Sequence, residues 1–133
     1  MSEKNVEVVR AMVTMFNCTG FLPEDLFDPG VELFNIRESP LPGPYRGYAG
    51  LLEWRQEVVE VVDEWRFEID DVIDVDESDL VVYENRLLGR AKHTGLEIDM
   101  SWTNVNWFRE GRICRSESFT SRAEALKVAG LEE

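Results

Sequence analysis

Four long segments of alternating or β-branched residues, divided by short polar turns, fill the C-terminal half of this chain and set most of what it can fold into. Trp65 to Val75, Leu80 to Arg90, Leu96 to Phe108 and Ile113 to Phe119 each read as strands. Asp76-Glu77-Ser78-Asp79 and Glu110-Gly111 have the composition of hairpin turns, whereas Arg90 to Gly95 is a looser connection. Strands joined in this way pair antiparallel, as a meander that must bury one face. Most of what covers that face has to come from the residues before Trp65.

Those residues are helical in period. Ser2 is a good N-cap, Val6, Val9, Val13 and Phe16 recur at helical spacing, and Gly20 closes the helix. Pro23 to Phe27 suits a short helix with proline in its first turn, and Asp28-Pro29-Gly30 predicts a turn before a strand over Val31 to Ile36. The three prolines and two glycines between Ser39 and Gly47 predict a loop. From Tyr48, the stripe Leu51, Trp54, Val58, Val61/Val62 and Trp65 predicts an amphipathic helix, with Glu53, Glu57, Glu60 and Asp63/Glu64 on its solvated side. At the other end, Ser121-Arg122-Ala123-Glu124 has the form of a capping box, so a short helix runs to about Ala129 and Gly130 ends it. The expected architecture is α+β: N-terminal helices on the concave face of a curved, mostly antiparallel sheet, plus a short C-terminal helix, in one domain over residues 1–133.

Charge narrows the partners. With 27 acidic and 14 basic side chains the formal net charge is −13, which opposes binding to a phosphate backbone or an anionic membrane surface. The N-terminus has no apolar leader and no run approaches a membrane span, so a cytoplasmic protein is expected. Cys18 and Cys114 have no CxxC spacing, and His93, the only histidine, lies in a polar loop. That count excludes a structural zinc site, and no metal or organic cofactor is expected. The two thiols are read as reduced, although spacing alone leaves a Cys18–Cys114 pairing open.

The order of parts carries a resemblance. A first helix, the Asp28-Pro29-Gly30-Val31-Glu32-Leu33 segment, a proline-rich loop, Tyr45-Arg46-Gly47-Tyr48-Ala49-Gly50-Leu51 opening a long helix, four strands, and a closing Phe119-Thr120-Ser121-Arg122-Ala123-Glu124-Ala125-Leu126 follow one another. This resembles the SnoaL-like branch of the nuclear-transport-factor-2-like superfamily over residues 4–131, with Ser121 where members often carry aspartate. The resemblance implies a cystatin-like cone, on which isomerases, cyclases, hydrolases, dehydratases and inert binding modules are all found. Ketosteroid isomerase chemistry would place its general base at Leu33 and its tyrosine near Ala11 or Met12, leaving only Asn104 as a hydrogen-bond donor. The epoxide-hydrolase set of Asp–Arg–Asp is matched neither in order by Glu84 and Arg86 nor by Ser118.

Alternation then nominates a site. On the third long strand Ile98, Met100, Trp102, Asn104, Asn106 and Phe108 share a face read as the pocket wall. Ser116 and Ser118 on the last strand leave volume beside Trp102, and Val31, Leu33 and Asn35 face inward from the first strand. Glu117 is read as outward with Arg115, an interior facing being the alternative. On the second long strand the same parity points Val82, Glu84, Arg86 and Leu88 inward and Val81, Tyr83, Asn85 and Leu87 outward. An interior Glu84–Arg86 pair would be a functional-site candidate, with Glu84 as acid/base, Arg86 as its orienter and Asn104 as oxyanion donor.

Two functions remain open from sequence. One is a cofactor-free acid/base enzyme acting on an apolar carbonyl or polycyclic substrate, with Asn35, Met100, Trp102, Asn106, Ser116 and Ser118 as binding residues. The other is a non-catalytic cone that binds a small apolar molecule or a partner. A homodimer is expected through an apolar outer sheet face of Tyr83, Val105, Trp107 and Phe119.

Overall fold

The computed structural model describes residues 3–39 and 42–131; Ser2, the expected N-cap, lies outside them. Helix α1 (Glu3–Thr19) ends at Gly20, whose φ of 80° is the left-handed turn that glycine tolerates best. A single 3-10 turn at Glu24–Leu26 leads into β1 (Phe27–Phe34) and the short β2 (Tyr45–Arg46). Helix α2 (Gly47–Val61) passes directly into β3 (Val62–Val75). Strands β4 (Leu80–Ala91), β5 (Glu97–Arg109) and β6 (Arg112–Phe119) complete the sheet, and α3 (Arg122–Val128) closes the described chain. Ser121 caps α3 through Oγ, which accepts from Glu124 N at 3.2 Å. No helix is long and apolar enough to cross a membrane among the described residues.

The six strands run in the order β2-β1-β6-β5-β4-β3, antiparallel except for the β1–β6 pair. Bulges bend this sheet into a cone. On β3 the register slips between Asp63 and Arg66 and again between Asp70 and Ile73, where Glu64 and Asp71 take φ of 52° and 48°. Asn17 of α1 clamps the strand between those bulges by accepting from Phe67 N at 2.9 Å and donating to Phe67 O at 2.8 Å. The concave face is the main core, where Val9 and Phe16 of α1 and Leu51 of α2 meet Val31, Phe67, Tyr83, Leu87 and Phe108 of the sheet.

Three expectations change here. Asp28-Pro29-Gly30 is strand rather than turn: β1 begins at Phe27, and its register with β6 shifts between Phe27 and Glu32, an interruption that tolerates a proline without an N–H. The second helix stops at Val61, so Val62 and Trp65 belong to β3. The apolar outer face is not an open surface. Tyr83 is inside the cone, while Val105 and Phe119 lie under α3 in a second core with Leu80, Val82, Ala125 and Ala129. The patch that motivated a homodimer through that face is therefore already covered within one chain.

Candidate active site

In an antiparallel pair, residues directly opposite each other point to the same side of the sheet. Across β4 and β5, Tyr83 is opposite Asn104, Asn85 opposite Trp102, and Leu87 opposite Met100. The inward set of β4 is thus Val81, Tyr83, Asn85 and Leu87, the reverse of the facing expected from sequence.

Glu84 and Arg86 are on the outer surface in consequence. Glu84 accepts from Thr103 Oγ1 at 2.7 Å and from the Arg122 guanidinium at 2.9 Å, fastening α3 to the sheet. Arg86 makes a two-pronged pair with Asp99, both bonds 2.8 Å, and lies 3.8 Å from Glu68. That guanidinium holds the Asp99 carboxyl below its ordinary range, and Asp99 raises Arg86 in return. The roles of acid/base and orienter expected for Glu84 and Arg86 have no place in the cone. Arg115 and Glu117 are likewise outer, 3.1 Å apart, with Arg115 stacked over Phe34 and Trp107. The slip between Trp107 and Phe108 turns Ile113 inward, opposite Phe108, so the alternation of β6 breaks at Cys114. Both cysteines are free, and burial pushes the Cys114 thiol up.

The cone encloses a cavity of about 520 Å³. Its walls are Phe16, Trp54, Phe67 and Trp102 together with Leu33, Val58 and Leu87, and its exposed rim includes Val61, Met100 and Glu38. The rings form a connected series, with centroids 5.5 Å apart for Phe16–Trp54 and Phe16–Phe67 and 6.4 Å for Phe67–Trp102. Asn35, Met100, Trp102, Asn104, Ser116 and Ser118 all line this cavity. Asn106 does not; it is fully buried behind the wall, beside Tyr83, and accepts from Ser116 Oγ at 2.7 Å.

The polar groups of the cavity fall into two arrays. In the first, an indole N–H can only donate, so the Asn104 atom that Trp102 Nε1 meets at 2.6 Å must be oxygen. Asn85 Nδ2 donates to that same oxygen at 3.2 Å, and Asn104 Nδ2 is left to donate to Ser116 Oγ at 3.3 Å and to the Glu117 carbonyl at 3.4 Å. Asn104 is spent on holding β4, β5 and β6 together, so its amide has no N–H left over for an oxyanion. Burial pushes the neighbouring Tyr83 phenol well up, keeping it protonated.

The second array was hidden in the helix that reads as having a solvated acidic side. Glu57 lines the cavity, half-buried, and its Oε1 accepts a short hydrogen bond from the Tyr45 hydroxyl. Asn35 connects Tyr45 to Trp54, accepting from Trp54 Nε1 at 3.2 Å and lying 3.5 Å from the Tyr45 oxygen. Burial, the bonded Glu57 carboxylate and the charge of Glu53 together push the Tyr45 phenol above its ordinary range. Gly50 makes the arrangement possible, because a Cβ there would meet the Tyr45 carbonyl carbon at 2.7 Å. Spacing carried the signal: Glu57 follows Trp54 by three residues and precedes Val61 by four, which sets it on the edge of the apolar stripe. Among the described residues no cluster of side chains could hold a metal ion.

A cone of six strands closed by two helices, with an aromatic cavity and one carboxylate steadied by a phenol, defines a class of α+β protein built around an internal pocket. Residues 9–116 match the model of the SnoaL-like domain, and the chain belongs to that family. Solved structures agree on the fold. An NTF2-like protein from Burkholderia thailandensis is 21% identical, with 96% of this chain and 95% of that one covered and a TM-score of 0.77. TerC, co-crystallised with polyporic acid, is 19% identical over 96% of this chain and 97% of its own, with a TM-score of 0.74. A protein from Catenulispora acidiphila with a ketosteroid-isomerase-like fold, in complex with trimethylamine, is 16% identical over 94% and 93%, with a TM-score of 0.70. No match was found among the curated proteins.

Proposed function

We propose that this protein binds an apolar small molecule inside the cone, and that Glu57 is the group through which a proton would pass to or from it. The observation that carries this reading is the cavity of about 520 Å³, within the range that holds drug-sized ligands, walled by rings and containing a carboxylate whose geometry a phenol fixes. Solved structures of the fold that hold small molecules, TerC with polyporic acid among them, support it at the level of the fold. The Tyr45–Glu57 pair favours acid/base conversion of a carbonyl or polycyclic substrate over simple storage: one oxygen of Glu57 is held by Tyr45 while the side chain borders the space a ligand would fill.

The neutral fluorophore phenylnaphthylamine tests the binding site. Wild type and Glu84→Gln should give the same saturable rise in emission, because Glu84 is on the outer face. Val58→Trp, which fills the cavity from α2, should lose it. Folded wild-type protein that gives no rise, or a rise that Glu84→Gln removes and Val58→Trp keeps, would refute the reading.

A further inference from the structure

The cavity carries charge of one sign only. Glu57 borders it and Glu38 stands at its exposed rim, and no lysine, arginine or histidine is among its described lining residues. Two guanidiniums of adjoining elements are engaged elsewhere. Arg86 pairs with Asp99 outside the cone, and Arg55 donates to the Gly20 carbonyl at 2.8 Å with its guanidinium over the Phe21 ring. Arg37 borders a separate recess of about 100 Å³ next to the rim, where it is outnumbered by Glu38, Glu117 and Glu124. The whole chain adds a net charge of −13.

Tyr45 bonds Oε1 of Glu57, and Oε2 takes no hydrogen bond among the described residues. A carboxylate beside low-dielectric walls attracts a cation more strongly than one in water does, and repels an anion by the same factor. Trp54, Phe67 and Trp102 line the same space, and a ring face offered to a ligand favours positive charge. A ligand carboxylate would find no cation in the cavity to offset its lost hydration.

We infer that the cone selects an apolar ligand carrying a basic amine, with the ammonium at Glu57 and the hydrocarbon body among the rings, and that it turns away the matching carboxylic acid. This deepens the reading of the cone as a small-molecule site and rests on it. The probes are naphthylethylamine, naphthylethanol and naphthylacetate, which share one ring system and differ in charge, each displacing phenylnaphthylamine from the wild-type protein. The amine should compete best, the alcohol next and the acid worst, with about tenfold or more between amine and acid. Raising the salt concentration should narrow that gap, and Glu57→Gln should bring the amine level with the alcohol. An acid that competes as well as the amine overturns the inference, as does a preference for the amine that survives Glu57→Gln. In either case bound phenylnaphthylamine leaves the small-molecule reading standing. If none of the three probes competes and the fluorophore itself does not bind, the small-molecule reading falls and takes the inference with it. The order of the three compounds on wild type decides the matter even if the variant fails to fold.

Discussion

Phe67→Ala should cost about 3–4 kcal/mol of stability, the lower part of the range for removing a buried aromatic ring. Phe67 is the centre of the aromatic wall: its ring is 5.5 Å from Phe16, 6.2 Å from Trp54 and 6.4 Å from Trp102, so α1, α2, β3 and β5 all meet on it. The void left by the ring opens onto the existing cavity, where water can enter, and the penalty is mainly lost burial and ring contacts rather than an empty hole. For a domain of this size the melting temperature should fall by roughly 10–15 °C. Thermal and urea unfolding measure it. A drop of only a degree or two would mean that the two helices are held to the sheet by something other than this ring cluster.

Asn104→Ala should cost about 3 kcal/mol, for a different reason. The side chain accepts from Trp102 and Asn85 and donates to Ser116 and Glu117, so its removal leaves two donors on the cavity wall without an acceptor, each worth roughly 1–3 kcal/mol unless water replaces the lost partner. Phenylnaphthylamine binding should weaken alongside, because the Trp102 indole loses the bond that sets its plane. Urea unfolding and the fluorophore titration on the same preparation separate the two effects. A variant as stable as the parent that loses only binding would make Asn104 a ligand-contacting group, as the sequence suggested, rather than a structural one.

Local chemistry made much of the fold legible. Ser121 with Glu124, Gly20, and the turns at 76–79 and 110–111 are residues that favour element ends, and each falls where the structure has an end. Apart from β2, which falls in the segment read as a loop, the strands were placed within a few residues because their alternation is strong, and the inward faces of β5 and β1 followed from it. The facing of β4 could not be read the same way. Alternation shows that residues 82, 84 and 86 share a side but not which side, and that choice depends on pairing register. Each β4–β5 partner pair, such as Tyr83 with Asn104, joins an odd residue to an even one, so a single parity carried across both strands must fail on one of them. A charged set of Glu84 and Arg86 against an apolar set of Val81, Tyr83 and Leu87 was the signal that pointed the right way.

Glu57 was missed for a related reason. A helix face grades from apolar to polar, and a carboxylate at the boundary is solvated or interior according to what the next strand places beside it. Here Tyr45 arrives from the proline-rich loop through β2, a contact that no local pattern reveals. The break at Cys114 and the strand character of Pro29 are likewise consequences of bulges, which come from partner strands rather than from the residues that bulge.

The indole N–H signals of the protein report directly on whether a ligand enters the cone or meets the outer face. Trp54 and Trp102 border the cavity and donate to Asn35 and Asn104, whereas Trp107 packs on the outer side with the α3 core. In a heteronuclear titration with naphthylethylamine, the Trp54 and Trp102 resonances should move and saturate together while Trp107 stays in place. Movement of Trp107, with Trp54 and Trp102 unchanged, would put the ligand on the outer face and rule out the cone as its site.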